Sequence, residues 1–137
     1  MIGSVLDSNV VISAHLSEDG WEATVLDLVF SGELRIFASD SILDEYALTL
    51  ARPKFSAIAP EPVKRSLERT SKRAILVGPE DTLSVSIHEA DNRFLECAET
   101  SNAEFLMTGN KRHFPEQWKN TRVVNARELL ELIGRAS

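Results

Sequence analysis

Asp7, Asp91 and one of the pair Asp44 and Glu45 are carboxylates whose surroundings suit chemistry. Asp7 closes the short apolar run Val5-Leu6 in "SVLDSNVVISA", and a second apolar run begins after two small polar residues. It either delivers an acid to the end of a strand or caps the helix that follows, and the local sequence leaves both open. In "DNRFLECA" the residues at i+3, i+4 and i+7 from Asp91 are Phe94, Leu95 and Ala98, the apolar face of a helix. That phase aims the carboxylate toward the sheet, where an unpaired charge is costly and a metal ion would compensate it. Asp91 also stands where an N-cap would. In "SILDEYALTL", Asp44 and Glu45 fall on opposite flanks of the apolar face, and periodicity does not choose between them.

Three acids from three distant segments would form a hard-oxygen cluster that repels itself unless Mg²⁺ or Mn²⁺ is present. Zinc is disfavoured, because paired histidines and a Cys-rich spacing are missing. A GxxxxGK[ST] loop is missing too, which excludes a P-loop nucleotidase.

The elements that must position these acids follow from the apolar pattern. Strands are expected at Ile2 to Leu6, Leu34 to Ala38, Ala74 to Val77, Phe105 to Met107 and Arg122 to Val124. Helices are expected at Trp21 to Phe30, Ser41 to Leu50, 61–73, 92–101 and Ala126 to Ile133. Alternation of the two predicts an α/β fold, a three-layer α/β/α sandwich around a mostly parallel five-stranded sheet. Ligands of such sheets bind beyond the carboxyl ends of the strands, which is where Asp7 and Thr108 would stand.

The 137 residues are read as one domain, 1–137. Hydrophobic and charged contents of 43% and 26% are those of an ordinary globular protein. The single cysteine, Cys97, excludes an intrachain disulfide and suits core packing. No apolar stretch approaches the roughly 20 residues of a membrane helix, and no signal-peptide pattern opens the chain, so a cytoplasmic protein is expected. The net charge of −6 hides a basic segment between residues 52 and 73 with Arg52, Lys54, Lys64, Arg65, Arg69, Lys72 and Arg73. A solvated helix face is the simplest account of it.

With these residues in view, the chain resembles the PIN domain family, which includes many VapC-type toxins of bacterial toxin–antitoxin pairs. "VLDSNVVISA" resembles the family's opening strand, which places the first acid at Asp7. "SDSILDEYALTL" resembles the second motif, and this selects Glu45 over Asp44. "DNRFLECAETSNAEFLMTGN" resembles the third motif, with its acid at Asp91 and a following Thr108-Gly109 pair. The likeness lies in the order and spacing of all of them and covers nearly the whole chain.

The resemblance implies hydrolysis of RNA with Mg²⁺ or Mn²⁺ held by Asp7, Glu45 and Asp91. It implies that Thr108 and Asn110 position waters or a phosphate oxygen. Asn9, Lys111 and Arg112 are expected at the substrate, Asn9 being equally a helix cap; His113 and the basic helix Lys64 to Arg73 are further candidates for the RNA backbone, His113 being more often a structural loop residue. Expected partners are RNA, an antitoxin protein and, as in many relatives, a second copy of the chain. Many relatives carry a fourth acid where this chain has Asn110, and some carry one where it has His113. A single, loosely bound ion is therefore expected, tightened by Asn110→Asp if that side chain faces the acids. Two alternatives are a degenerate PIN domain that binds RNA or protein without cleavage, and an Mg²⁺-dependent phosphohydrolase on another α/β fold. The haloacid-dehalogenase type of the latter would want an acid where Asn9 stands.

Overall fold

The computed structural model describes residues 2–17, 19–52, 60–79, 82–83 and 89–134. In chain order the elements are β1 (Gly3–Leu6), α1 (Ser8–Leu16), α2 (Trp21–Ser31), β2 (Arg35–Ala38), α3 (Asp40–Leu50), α4 (Pro60–Arg73) and β3 (Ile75–Leu76). They continue as α5 (Glu89–Ser101), β4 (Phe105–Met107), β5 (Gln117–Trp118), β6 (Thr121–Val124) and α6 (Ala126–Leu132), with a 3₁₀ turn at Lys111–His113.

Among the described residues six helices flank one sheet of order β3-β2-β1-β4-β6-β5. Five of its strands are parallel and coincide with the five expected from the apolar runs. The sixth corrects the expected count. Gln117–Trp118 is a two-residue edge strand, antiparallel to β6 and too short to show an alternating pattern. The turn joining this pair passes through Lys119 at φ +51°.

All four residues of β1 are buried, so both faces of this central strand are covered. A Cβ at Gly3 would come within 2.5 Å of the Phe37 ring, which would have to shift to admit it. From β1 the chain runs outward through β2 and β3, then returns to lay β4 on the other side of β1. The order reverses between β1 and β4, and a crevice opens at their carboxyl ends.

Five of the helices match the expected ones; α1 is expected only as the helix that Asp7 would cap, since its apolar residues follow no helical stripe. The Ser39 hydroxyl accepts the Ile42 amide at 3.3 Å and starts α3. Asn125 and Glu128 close a reciprocal capping box on α6. Ile42, Tyr46, Phe94 and Leu95 are fully buried, and the Tyr46 and Phe94 rings stack at 6.5 Å. Cys97 is buried among them, which pushes its thiol up to about 12 and leaves it inert. Helix α5 begins at Glu89, earlier than the expected 92, so Asp91 lies inside the helix and is not its cap. Lys54 of the basic segment lies outside the described residues. Among the described residues no helix is long and apolar enough to cross a membrane.

Candidate active site

Parallel pairing aligns Leu6 with Met107, so β1 and β4 end together and deliver Asp7 and Thr108 side by side. The Asp7 amide donates to the Met107 carbonyl at 2.8 Å, and the Thr108 amide to that of Val124 at 2.9 Å. The Thr108 hydroxyl donates to Asp7 Oδ2 at 2.7 Å, and Thr108 Oγ1 accepts the Asn110 amide at 2.9 Å. Asp7 occupies the N-cap position of α1, yet its side chain makes no capping hydrogen bond. Its carboxylate is turned to the crevice. Only 3% of the residue is exposed. Burial, opposed by the Thr108 hydrogen bond and reinforced by the Asp91 charge, pushes its pKa up to about 6.

Asp91 comes from the first turn of α5, with its apolar neighbours Phe94 and Leu95 buried against the sheet. Its Oδ2 lies 3.0 Å from Nδ1 of His113 in the 3₁₀ turn after β4. A carboxylate oxygen only accepts, so this Nδ1 carries the proton. Glu96, one turn further along α5, accepts the Leu83 amide at 2.8 Å and pairs with Arg93 at 2.6 Å, which fixes the helix to the preceding segment.

Glu45 approaches from α3. Thr49 donates to its Oε1 at 3.3 Å, and Arg52 lies 3.9 Å from the same oxygen. Asp44 is exposed. Asp7, Glu45 and Asp91 line one cleft of about 220 Å³, with Asn9, Arg52 and His113 around them. Ser8 lines it too, and its Oγ is buried without a hydrogen-bond partner among the described residues.

Asn110, Lys111 and Arg112 line a neighbouring cavity of about 370 Å³ with Gly109 and Asn125. Asn110 is exposed, and its backbone amide donates to Thr108 Oγ1, which links this residue to the Asp7 contact. Lys111 is held by Glu128 at 2.9 Å, and this contact lowers the Glu128 pKa.

The cleft's acids and hydroxyls are the oxygen donors that Mg²⁺ or Mn²⁺ prefers. Asp7 and Asp91 repel one another in the ion's absence, and Ser8 Oγ has an unused donor and acceptor. Among the described residues no group of three or more Asp, Glu, His or Cys side chains is arranged to hold a metal ion, so Asp7 and Asp91 with the hydroxyls are the donor set.

The sequence model of the PIN domain family matches residues 4–112. The chain belongs to the PIN domain family. Over 109 residues this PIN domain is 30% identical to the uncharacterized protein MJ1680 of Methanocaldococcus jannaschii, covering 78% of this chain and 70% of that one. Its fold is similar to the crystal structure of VapBC2 from Rickettsia felis bound to a DNA fragment from their promoter. The TM-score is 0.58 at 18% identity, over 90% of this chain and 98% of that one.

Two cleft residues of the PIN domain, Thr49 and Arg52, escaped the sequence reading as site members, and His113, read as a candidate contact to the RNA backbone, lies against Asp91. His113 stands one residue beyond the family match. Thr49 and Arg52 follow Glu45 at i+4 and i+7, a spacing that places all three on one side of α3 and its C-terminal turn.

Proposed function

We propose that this PIN domain is a metal-dependent endoribonuclease that hydrolyses RNA phosphodiester bonds, and that it acts as the toxin of a toxin–antitoxin pair. One observation carries the reading. Two carboxylates from distant segments, Asp7 and Asp91, are sunk into the same cleft at the switch point of the sheet, with Glu45 on the facing wall.

Asp7 and Asp91 would hold Mg²⁺ or Mn²⁺, and Glu45 would hold its waters. When bound, the ion supplies charge neutralisation at phosphorus and lowers the pKa of a water. Thr108 keeps one Asp7 oxygen engaged and so fixes how the other faces the cleft. His113 does the same for Asp91. Glu45, only partly buried, would accept a proton from the attacking water. Asn9 at the rim, and Lys111 and Arg112 beside the second cavity, would meet the RNA strand.

The fold it shares with VapBC2 supports a protein antitoxin as partner. Incubation of the purified chain with total RNA tests the activity. Cleavage with Mg²⁺, none with EDTA and none by Asp91→Asn is the expected result. RNA retained on the protein without any cleavage in Mg²⁺ or Mn²⁺ would instead support the non-cleaving alternative.

A further inference from the structure

We propose that Arg52 receives an RNA phosphate at the mouth of the carboxylate cleft, as a substrate-binding residue outside the set assigned above. The inference rests on the ribonuclease reading and adds to it the group that brings a polyanion to an acidic site. Three carboxylates line the cleft, and they repel a phosphate that approaches it. Among the described lining residues the only basic side chains are Arg52 and His113. His113 is directed onto Asp91. Arg52 is anchored differently.

Helix α3 ends at Leu50, and the Arg52 amide donates to the Thr49 carbonyl at 3.2 Å, which fixes the backbone in the turn after the helix. From there the side chain reaches along the wall toward Glu45. The guanidinium lies 3.9 Å from Glu45 Oε1, beyond hydrogen-bond length, and the side chain is 54% exposed. Thr49 already donates to that oxygen. Arg52 is therefore held near the cleft by charge while its donors stay open to a ligand. A guanidinium's planar fork matches two phosphate oxygens at once. The other candidates are less well placed. Lys111 is committed to Glu128 at 2.9 Å, and Lys111 and Arg112 line the neighbouring cavity.

The test compares the native chain with Arg52→Gln, Arg52→Lys and the control Arg35→Gln. Arg35 is an exposed cation at the amino end of β2, on the opposite edge of the sheet. Cleavage kinetics are read in Mg²⁺. Binding of a labelled single-stranded RNA is read by fluorescence anisotropy over a range of salt, with Ca²⁺ in place of Mg²⁺ to slow turnover. Arg52→Gln is expected to raise KM and the RNA Kd about tenfold while kcat stays within about threefold. Its binding should lose about 0.7 from the log–log salt slope, the share of one phosphate contact on a single strand. Arg52→Lys should keep the salt slope and recover part of the affinity, and Arg35→Gln should change neither.

Unchanged affinity and salt slope in Arg52→Gln would overturn the assignment. So would a loss confined to kcat, which would mean that Arg52 acts only through the position of Glu45. A native chain that neither binds nor cleaves RNA would overturn the ribonuclease reading itself, and the Arg52 role with it. These outcomes are distinct in the native control.

Discussion

The Thr108 hydroxyl donates to Asp7 Oδ2 across 2.7 Å and ties together the carboxyl ends of two neighbouring strands. It is the one hydroxyl that opposes the effect of burial on Asp7. Thr108→Val keeps the shape and removes the donor. Cleavage should fall roughly 10-fold or more, as for other residues that orient a ligand, and the acid limb of the pH–rate profile should move to higher pH. Thr108→Ser should retain most activity. Equal activity in Thr108→Val would show that this contact is dispensable.

The raised pKa of Asp7 has a consequence for stability. Between its ordinary value of 3.8 and about 6, the folded chain holds a proton there that the unfolded chain has lost. Stability of the ion-free protein should therefore fall as pH rises through that window and level off above it. Asp7→Asn removes the buried charge and should stabilise the chain at pH 7 by up to about 3 kcal/mol, with no such gain near pH 4. Thermal unfolding in EDTA at both pH values measures this, and a destabilised Asp7→Asn at pH 7 contradicts it.

Glu45 lines the cleft and Asp44 is exposed. Glu45→Gln should abolish cleavage, whereas Asp44→Asn should leave most of it. Rate measurements on both variants, with far-UV circular dichroism to confirm folding, check the ranking. The reverse order would place the working acid one residue earlier on α3.

His113 meets Asp91 through Nδ1, a position that the amide nitrogen of Asn can mimic and that of Gln cannot. Calorimetric titration of Mn²⁺ should give His113→Asn an affinity near the native one, and His113→Gln a loss of about 10-fold. Similar losses in both variants would mean that the ring, and not the Nδ1 contact, is what matters.

Tyr46 joins α3 to the strand that carries Asp7, since its buried hydroxyl donates to the Leu6 carbonyl at 2.5 Å. Tyr46→Phe leaves that carbonyl without this donor and should cost about 1–3 kcal/mol in denaturant unfolding. No change in stability would indicate that the carbonyl finds another partner.

The sequence by itself determined the five parallel strands, the acid at the end of β1 and the inward phase of Asp91. These are properties of single elements, where a period of two or of 3.6 says which side chains share a face. It also carried the family, because motif order along the chain is a linear property. Tertiary structure decided the rest. Asp44 and Glu45 flank the same apolar stripe, so periodicity leaves them tied and only the family resemblance chooses Glu45; the packing of α3 against α1 and α5 is what puts it in the cleft. Asp91 finds His113, 22 residues away, because β4 and its following turn lie beside α5. The Asn110 amide meets the Thr108 hydroxyl because the turn after β4 folds back over the strand end. Edge strand β5 exists only through its pairing with β6. Periodicity orients a residue within its own element; the contacts between elements are set by packing, which a linear pattern does not encode.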